Sequence, residues 1–130
     1  MTKVVMDTNI LVSALLSPFG APGRVMDMFL TGRLTICFDS RILAEYEEVL
    51  LRPKFGFSKR DVRSLMEFIY ATGLSVIPAP ITVNLPDEDD RVFLEVAKHC
   101  GAYLITRNRK HFPEDDSIVS ATEFLEAQHR

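Results

Sequence analysis

Short apolar runs alternate with amphipathic stretches along the whole chain, and that alternation restricts the fold more than any other feature. Lys3-Val4-Val5-Met6 reads as a buried strand ended by Asp7. Ile10, Leu11, Ala14 and Leu15 then follow helical spacing until Pro18 and Gly20 break it. Pro22 suits the first turn of a second helix carrying Val25, Met26, Phe29 and Leu30, which Gly32 closes. Leu34 to Phe38 is the next strand. Ser40 is the expected cap of a helix running to about Arg52, where Pro53 stops it. Ser58-Lys59-Arg60-Asp61 has the pattern of a capping box. It precedes a helix with Val62, Leu65, Met66 and Ile69 on one stripe.

The same rhythm continues to the end. Ser75-Val76-Ile77 reads as a third strand, followed by an extended loop holding Pro78, Pro80 and Pro86. The run Asp87-Glu88-Asp89-Asp90 opens a helix closed by Gly101. Tyr103 to Thr106 is a fourth strand and Ser117-Ile118-Val119 a short fifth. Ser120 and Glu123 form a second capping box before a terminal helix. Strands alternating with helices predict a three-layer α/β/α sandwich around a mainly parallel sheet of about five strands. At 130 residues the expectation is a single domain spanning 1–130.

In such sheets, sites form outside the carboxyl ends of the strands. Asp7, Glu45, Asp87 and Asp90 all fall where they can reach that edge. Carboxylates without cysteine or histidine beside them suit a hard cation such as Mg²⁺ or Mn²⁺. Asp7 has an alternative reading as a helix N-cap. Its neighbours Thr8 and Asn9 make a dense polar triplet between two buried segments, which suits a ligand flanked by hydrogen bonders. On the third helix, Glu45 and Glu47 border opposite sides of the apolar stripe, and periodicity does not choose between them. Asp90 shares a face with Phe93, Leu94 and Ala97, and the helix dipole favours one acid there. It does not favour four in a row, which repel one another unless a cation is near. Asp87 or Asp89 can add a second ligand.

Thr106-Arg107-Asn108 should reach the same edge. Asn108 offers a neutral carbonyl oxygen, while Arg107, Arg109 and Lys110 are candidates to hold phosphates. A second basic cluster, at Arg52, Lys54, Lys59, Arg60 and Arg63, reads as a solvated face. His99 and His111 lack partners at ligand spacing and read as surface residues. Fifteen Lys and Arg against 18 Asp and Glu give a net charge of −3, so any nucleic-acid contact must come from a local patch. Cys37 and Cys100 match no disulfide framework or metal motif and read as buried thiols in a reducing cytoplasm. Asp7 interrupts the apolar start, so no signal peptide is expected. No apolar stretch approaches the roughly 20 residues that a membrane helix needs.

Taken in order, Val4 to Asn9, Glu45, Asp90 to Ala97, Leu104 to Asn108 and Val119 to Leu125 resemble the PIN domain, the nuclease fold of many prokaryotic toxin–antitoxin ribonucleases. The likeness spans the chain. It implies that Asp7, Glu45 rather than Glu47, and Asp90 are the metal-binding acids, with Thr8, Asn9 and Thr106 as polar supports. Many members carry an Asp where this chain has Asn108, and another acid near His111, so Asp87 or Asn108 is left to complete the ligand set. The stretch Asn108 to Pro113 resembles a branch of toxin components. The family likeness implies a Mg²⁺- or Mn²⁺-dependent endoribonuclease of single-stranded RNA, held by a small antitoxin and paired as a homodimer. Two rivals stand beside it. A phosphatase with Asp7 as nucleophile would need an acid where this chain has Asn9. A domain with weakened catalysis would serve only to bind RNA or protein, a reading that Asn108 keeps open.

Overall fold

The computed structural model describes residues 1–128. At its centre lies β1 (Thr2–Met6), in which Val4, Val5 and Met6 are all fully buried. Successive strand side chains point to opposite faces, so three buried in a row require cover on both sides. β2 (Leu34–Phe38) runs parallel to β1 on one side, with Ile36 opposite Val4. β4 (Tyr103–Ile105) runs parallel on the other, with Ile105 opposite Met6. The two-residue strands β3 (Leu74–Ser75) and β5 (Ile118–Val119) extend the edges, also in parallel. The order is β3-β2-β1-β4-β5.

Helices α1 (Thr8–Leu16), α2 (Ala21–Leu30), α3 (Ser40–Leu50), α4 (Lys59–Thr72), α5 (Arg91–Cys100) and α6 (Ala121–Gln128) cover the two faces. The result is the expected three-layer α/β/α sandwich on a parallel five-stranded sheet. α1 packs on α2 and α2 on α6, while α5 crosses β1, β2 and β4. Among the described residues, no helix is long and apolar enough to cross a membrane.

The topology itself nominates a site. From β1 the chain winds outward through β2 to β3, then returns to lay β4 and β5 on the other side of β1. The order therefore reverses between β1 and β4, and the crevice outside their carboxyl ends is where such sheets take ligands. Asp7 leaves β1 there and Thr106 leaves β4. The Asp7 N–H donates to the Ile105 carbonyl at 3.0 Å, which holds the two strand ends side by side.

Several local expectations hold and others shift. Ser58 Oγ accepts the Asp61 N–H at 3.1 Å. Both halves of the second box form, with Glu123 N–H on Ser120 Oγ at 3.1 Å and Ser120 N–H on Glu123 Oε1 at 2.9 Å. Gly101, at φ 61°, turns the end of α5 into the left-handed region as its closing role requires. Gly23 lets the first turn of α2 press on Pro18, since a Cβ there would stand 2.0 Å from the Pro18 carbonyl oxygen. By contrast, α3 is capped by Asp39, not Ser40. Asp39 is the first residue off β2, and its carboxylate accepts the Ile42 N–H at 3.0 Å, leaving Ser40 inside the first turn. The helix ends at Leu50, short of Arg52, and a 3₁₀ turn at Pro53–Phe55 follows. β3 is one residue early and shorter than expected. Val76 N–H still reaches the Phe38 carbonyl at 3.0 Å, but Pro78 and Pro80 have no N–H to continue the ladder, and Ile77 is 93% exposed.

The proline-rich segment after β3 is fastened to α5 through one residue. Ile81 N–H donates to Glu95 Oε2 at 3.0 Å, and Ile81 C=O accepts Arg91 Nη1 at 2.9 Å. Glu95 is buried and also pairs with Arg41 Nη1 at 2.9 Å, while Arg41 reaches Asp39 at 2.7 Å. One guanidinium thus joins the start of α3 to the middle of α5. Cys37, on β2, is buried, and Cys100, closing α5, is half-buried; both thiols are free. Burial above all, with Cys100 close by, pushes the Cys37 thiol up to about 12.

Candidate active site

Asp7 is buried, and it is both the cap of α1 and the partner of β4. The capping bond, Asn9 N–H to Asp7 Oδ1, is long at 3.5 Å. The better bond comes from Thr106, whose Oγ1 donates to Asp7 Oδ2 at 2.8 Å. Thr106 Oγ1 in turn accepts the Asn108 N–H at 3.0 Å, so Asn108 is tied to Asp7 through one hydroxyl. A cap alone would need none of this cross-sheet support.

Thr8 resolves the ambiguity on α3. Its hydroxyl donates to Glu45 Oε2, which draws Glu45 to the end of β1. Glu45 is half-buried, whereas Glu47 and Glu48 are exposed. One residue along, the fully buried Tyr46 donates its hydroxyl to the Met6 carbonyl, fixing α3 to the last residue of β1. Two consecutive residues of α3 therefore register it against the Met6-Asp7-Thr8 turn.

Asp90 lies where a 3₁₀ turn (Glu88–Asp90) passes into α5, and is half-buried. Its Oδ2 stands 3.1 Å from His111 Nδ1. The expectation of a surface histidine is corrected here. The turn after β4 swings His111, 41% exposed, over the amino end of α5. Asp87 is exposed and caps the 3₁₀ turn, accepting the Asp89 N–H at 2.9 Å. Asn9 is exposed, and its backbone N–H is what it contributes to Asp7.

The electrostatics couple these acids. Burial raises the Asp7 carboxyl above the ordinary carboxylate value against the lowering effect of Thr106, Asn9 and Thr8. Burial also raises Glu45, and the charges of Asp7, Asp89 and Asp90 add to the effect while Thr8 opposes it. Asp90 is raised by burial and then by Asp7, against the neighbouring His111. Glu45 thus feels Asp7 and Asp90 as like charges, and Asp90 feels Asp7, the condition a multivalent cation relieves. Among the described residues, no three His, Cys, Asp or Glu side chains stand close enough in this arrangement to share an ion. Repulsion between uncompensated carboxylates opposes such a cage. The donor chemistry itself, carboxylates plus the Asn108 amide, fits a hard cation.

The basic candidates separate. Arg109 is committed to Glu123 at 2.7 Å. Lys110 is exposed and lines a different cleft, together with Arg109, the stretch from Phe112 to Asp115, and Ile118. Arg107 alone of the three lines the groove that adjoins Thr106.

This constellation can be set beside known proteins. A family model described as the PIN domain matches residues 3–110. "Uncharacterized protein MJ1680" of Methanocaldococcus jannaschii is 35% identical over 113 residues, covering 82% of this chain and 71% of that protein. The crystal structure of VapBC2 from Rickettsia felis, bound to a DNA fragment from their promoter, matches with a TM-score of 0.57 at 15% identity. That match covers 92% of this chain and 97% of the other, and at so low an identity it speaks for the fold alone. With the family model spanning most of its length, the chain belongs to the PIN domain family.

Proposed function

We propose that this chain, as one domain, is a Mg²⁺- or Mn²⁺-dependent endoribonuclease of single-stranded RNA and the toxin of a toxin–antitoxin pair. The observation that carries the reading is the hydrogen-bonded placement of three acids from separate segments, with Thr106 on Asp7, Thr8 on Glu45 and His111 on Asp90, around the strand-order reversal. Asp7, Glu45 and Asp90 would hold the cation, with Asp87 or the Asn108 carbonyl completing the set. When bound, the ion would supply Lewis-acid polarisation of the phosphate and a water acidic enough to attack near neutral pH.

The protein's own contribution is placement. Thr106 holds Asp7 Oδ2 and Thr8 holds Glu45 Oε2, which leaves Glu45 Oε1 for a ligand, while Asp7 Oδ1 carries only the long bond from the Asn9 N–H. Ligating carboxylates supported in this way are the usual design of metal sites. His111 Nδ1, 3.1 Å from Asp90 Oδ2, restrains that carboxylate. The VapBC2 neighbour, a pair on promoter DNA, supports an antitoxin as partner. Leu16, the last residue of α1, and Phe19, in the turn before α2, are 53% and 96% exposed and support a surface covered by protein, whether antitoxin or a second copy.

A second reading, a domain of weakened catalysis that binds RNA or protein, draws on the neutral Asn108 and on the open spacing of the acids. Calorimetric titration with Mn²⁺ beside a cleavage assay on labelled single-stranded RNA separates the two. Mn²⁺ binding with EDTA-sensitive cutting supports the ribonuclease. Mn²⁺ binding without cutting favours the binding module, and no Mn²⁺ binding by folded protein removes the metal site itself.

A further inference from the structure

The groove beside the acids has a chemistry of its own. It lies between α1, the end of β4 and the start of α6, with a volume of about 410 Å³. That is within the ~300–1,000 Å³ of typical ligand clefts. Its polar lining is Ser13, Ser17, Thr106, Arg107, Ser120 and Thr122. Thr106 belongs to both places, since the residue that lines the groove also donates its hydroxyl to Asp7 Oδ2. Whatever fills the groove therefore lies next to the proposed reaction centre.

Arg107 is the one cation of this lining. Its Nη1 donates to Ser13 Oγ at 3.0 Å, which fixes the guanidinium against α1. Arg41, Arg52, Arg91 and Arg109 each hold a carboxylate, but Arg107 has none among the described residues. A guanidinium has five donors in a planar fork suited to two phosphate oxygens, and the bond to Ser13 uses one of them. The lining contains no aromatic ring, Asn or Gln. It can bind a sugar–phosphate backbone through charge and hydroxyls, but it lacks the groups that stack on a base or read its edge.

Resting on the ribonuclease reading, we propose that this groove is the subsite for the RNA phosphodiester adjoining the scissile one. Arg107 grips the phosphate oxygens, and the Ser and Thr hydroxyls meet the remaining phosphate and ribose oxygens. The subsite confers affinity without base preference at that nucleotide. Arg109, spent on Glu123, contributes little to it.

The test is equilibrium binding of a fluorescent single-stranded RNA in Ca²⁺, from about 50 to about 200 mM salt, where phosphate contacts set the slope. Wild type, Arg107→Ala, Arg107→Lys and Arg109→Ala are compared, each checked for folding by circular dichroism. One lost contact lowers the slope of log K against log salt by about 0.7 for a single strand. Arg107→Ala should show that fall, with Arg107→Lys restoring the slope and Arg109→Ala leaving it unchanged. A folded Arg107→Ala with the wild-type slope overturns the subsite, as does an equal fall in Arg109→Ala. A parallel cleavage assay of wild type in Mn²⁺ keeps the two readings apart. Cutting with an unchanged Arg107→Ala slope would retain the nuclease and discard the subsite. The expected slope change without cutting would retain the RNA subsite and discard the nuclease.

Discussion

Thr106 and Asp7, 99 residues apart in sequence, share a hydrogen bond of 2.8 Å across the ends of β4 and β1. The bond holds Asp7 Oδ2 firmly inside the fold, while Oδ1 accepts only the long bond from the Asn9 N–H. Thr106→Val should leave a buried carboxylate short of a donor. The expected outcome is a loss of Mn²⁺ affinity of about 10- to 100-fold, as for other supports of metal ligands, with Thr106→Ser restoring most of it. Calorimetric titration reads both variants.

Asp7 also predicts a pH dependence. Its folded pKa is raised, chiefly by burial, so the native state holds the proton more tightly than the unfolded chain. Its contribution to stability is therefore greatest below the unfolded carboxylate value of about 3.9, and it declines as pH rises through the raised folded value. In EDTA, Asp7→Asn should melt above wild type, by a margin that widens from about pH 4 toward neutrality. Saturating Mn²⁺ should reverse the order, because it stabilises only a protein that binds it. Thermal melts with and without the ion check both signs.

Tyr46 gives a purely structural prediction. Tyr46→Phe keeps the buried ring but removes the donor to the Met6 carbonyl, and an unsatisfied buried group costs about 1–3 kcal/mol. Urea unfolding should show that loss at unchanged m-value. A cost near zero would mean that the bond does not register α3 against β1.

Glu95 fastens the segment leading to Asp87. Glu95→Ala strips partners from Ile81 N–H and from Arg41. Arg41 is half-exposed, so the orphaned amide should dominate, at about 1–3 kcal/mol. Hydrogen exchange should rise at Ile81 and its neighbours before it rises in β1.

The sheet was legible because its strands are short apolar runs bounded by strong breakers, and Val4-Val5-Met6 requires cover on both faces wherever it is placed. In the sequence Asp7 stands out as the polar end of an apolar strand, and Asp90 as an acid sharing a helix face with Phe93, Leu94 and Ala97. Glu45 was not separable from Glu47 by periodicity, since the choice depends on Thr8, 37 residues away. Asp39 and Ser40 are both good caps, and only the end of β2 decides between them. His111 was missed because its partner, Asp90, comes from another segment and nothing in the spacing of either announces the other. The resemblance offered a signal, an acid expected near that position.

If Asp7, Glu45 and Asp90 act as one metal site that cuts RNA, each of the three is needed for cleavage. The most direct test is cleavage of a labelled single-stranded RNA in Mn²⁺ by wild type, Asp7→Asn, Glu45→Gln and Asp90→Asn, all purified identically, with EDTA controls. Wild type should cut in an EDTA-sensitive manner, and all three folded variants should lose that cutting. Equal cutting by wild type and any one variant would contradict a single metal site.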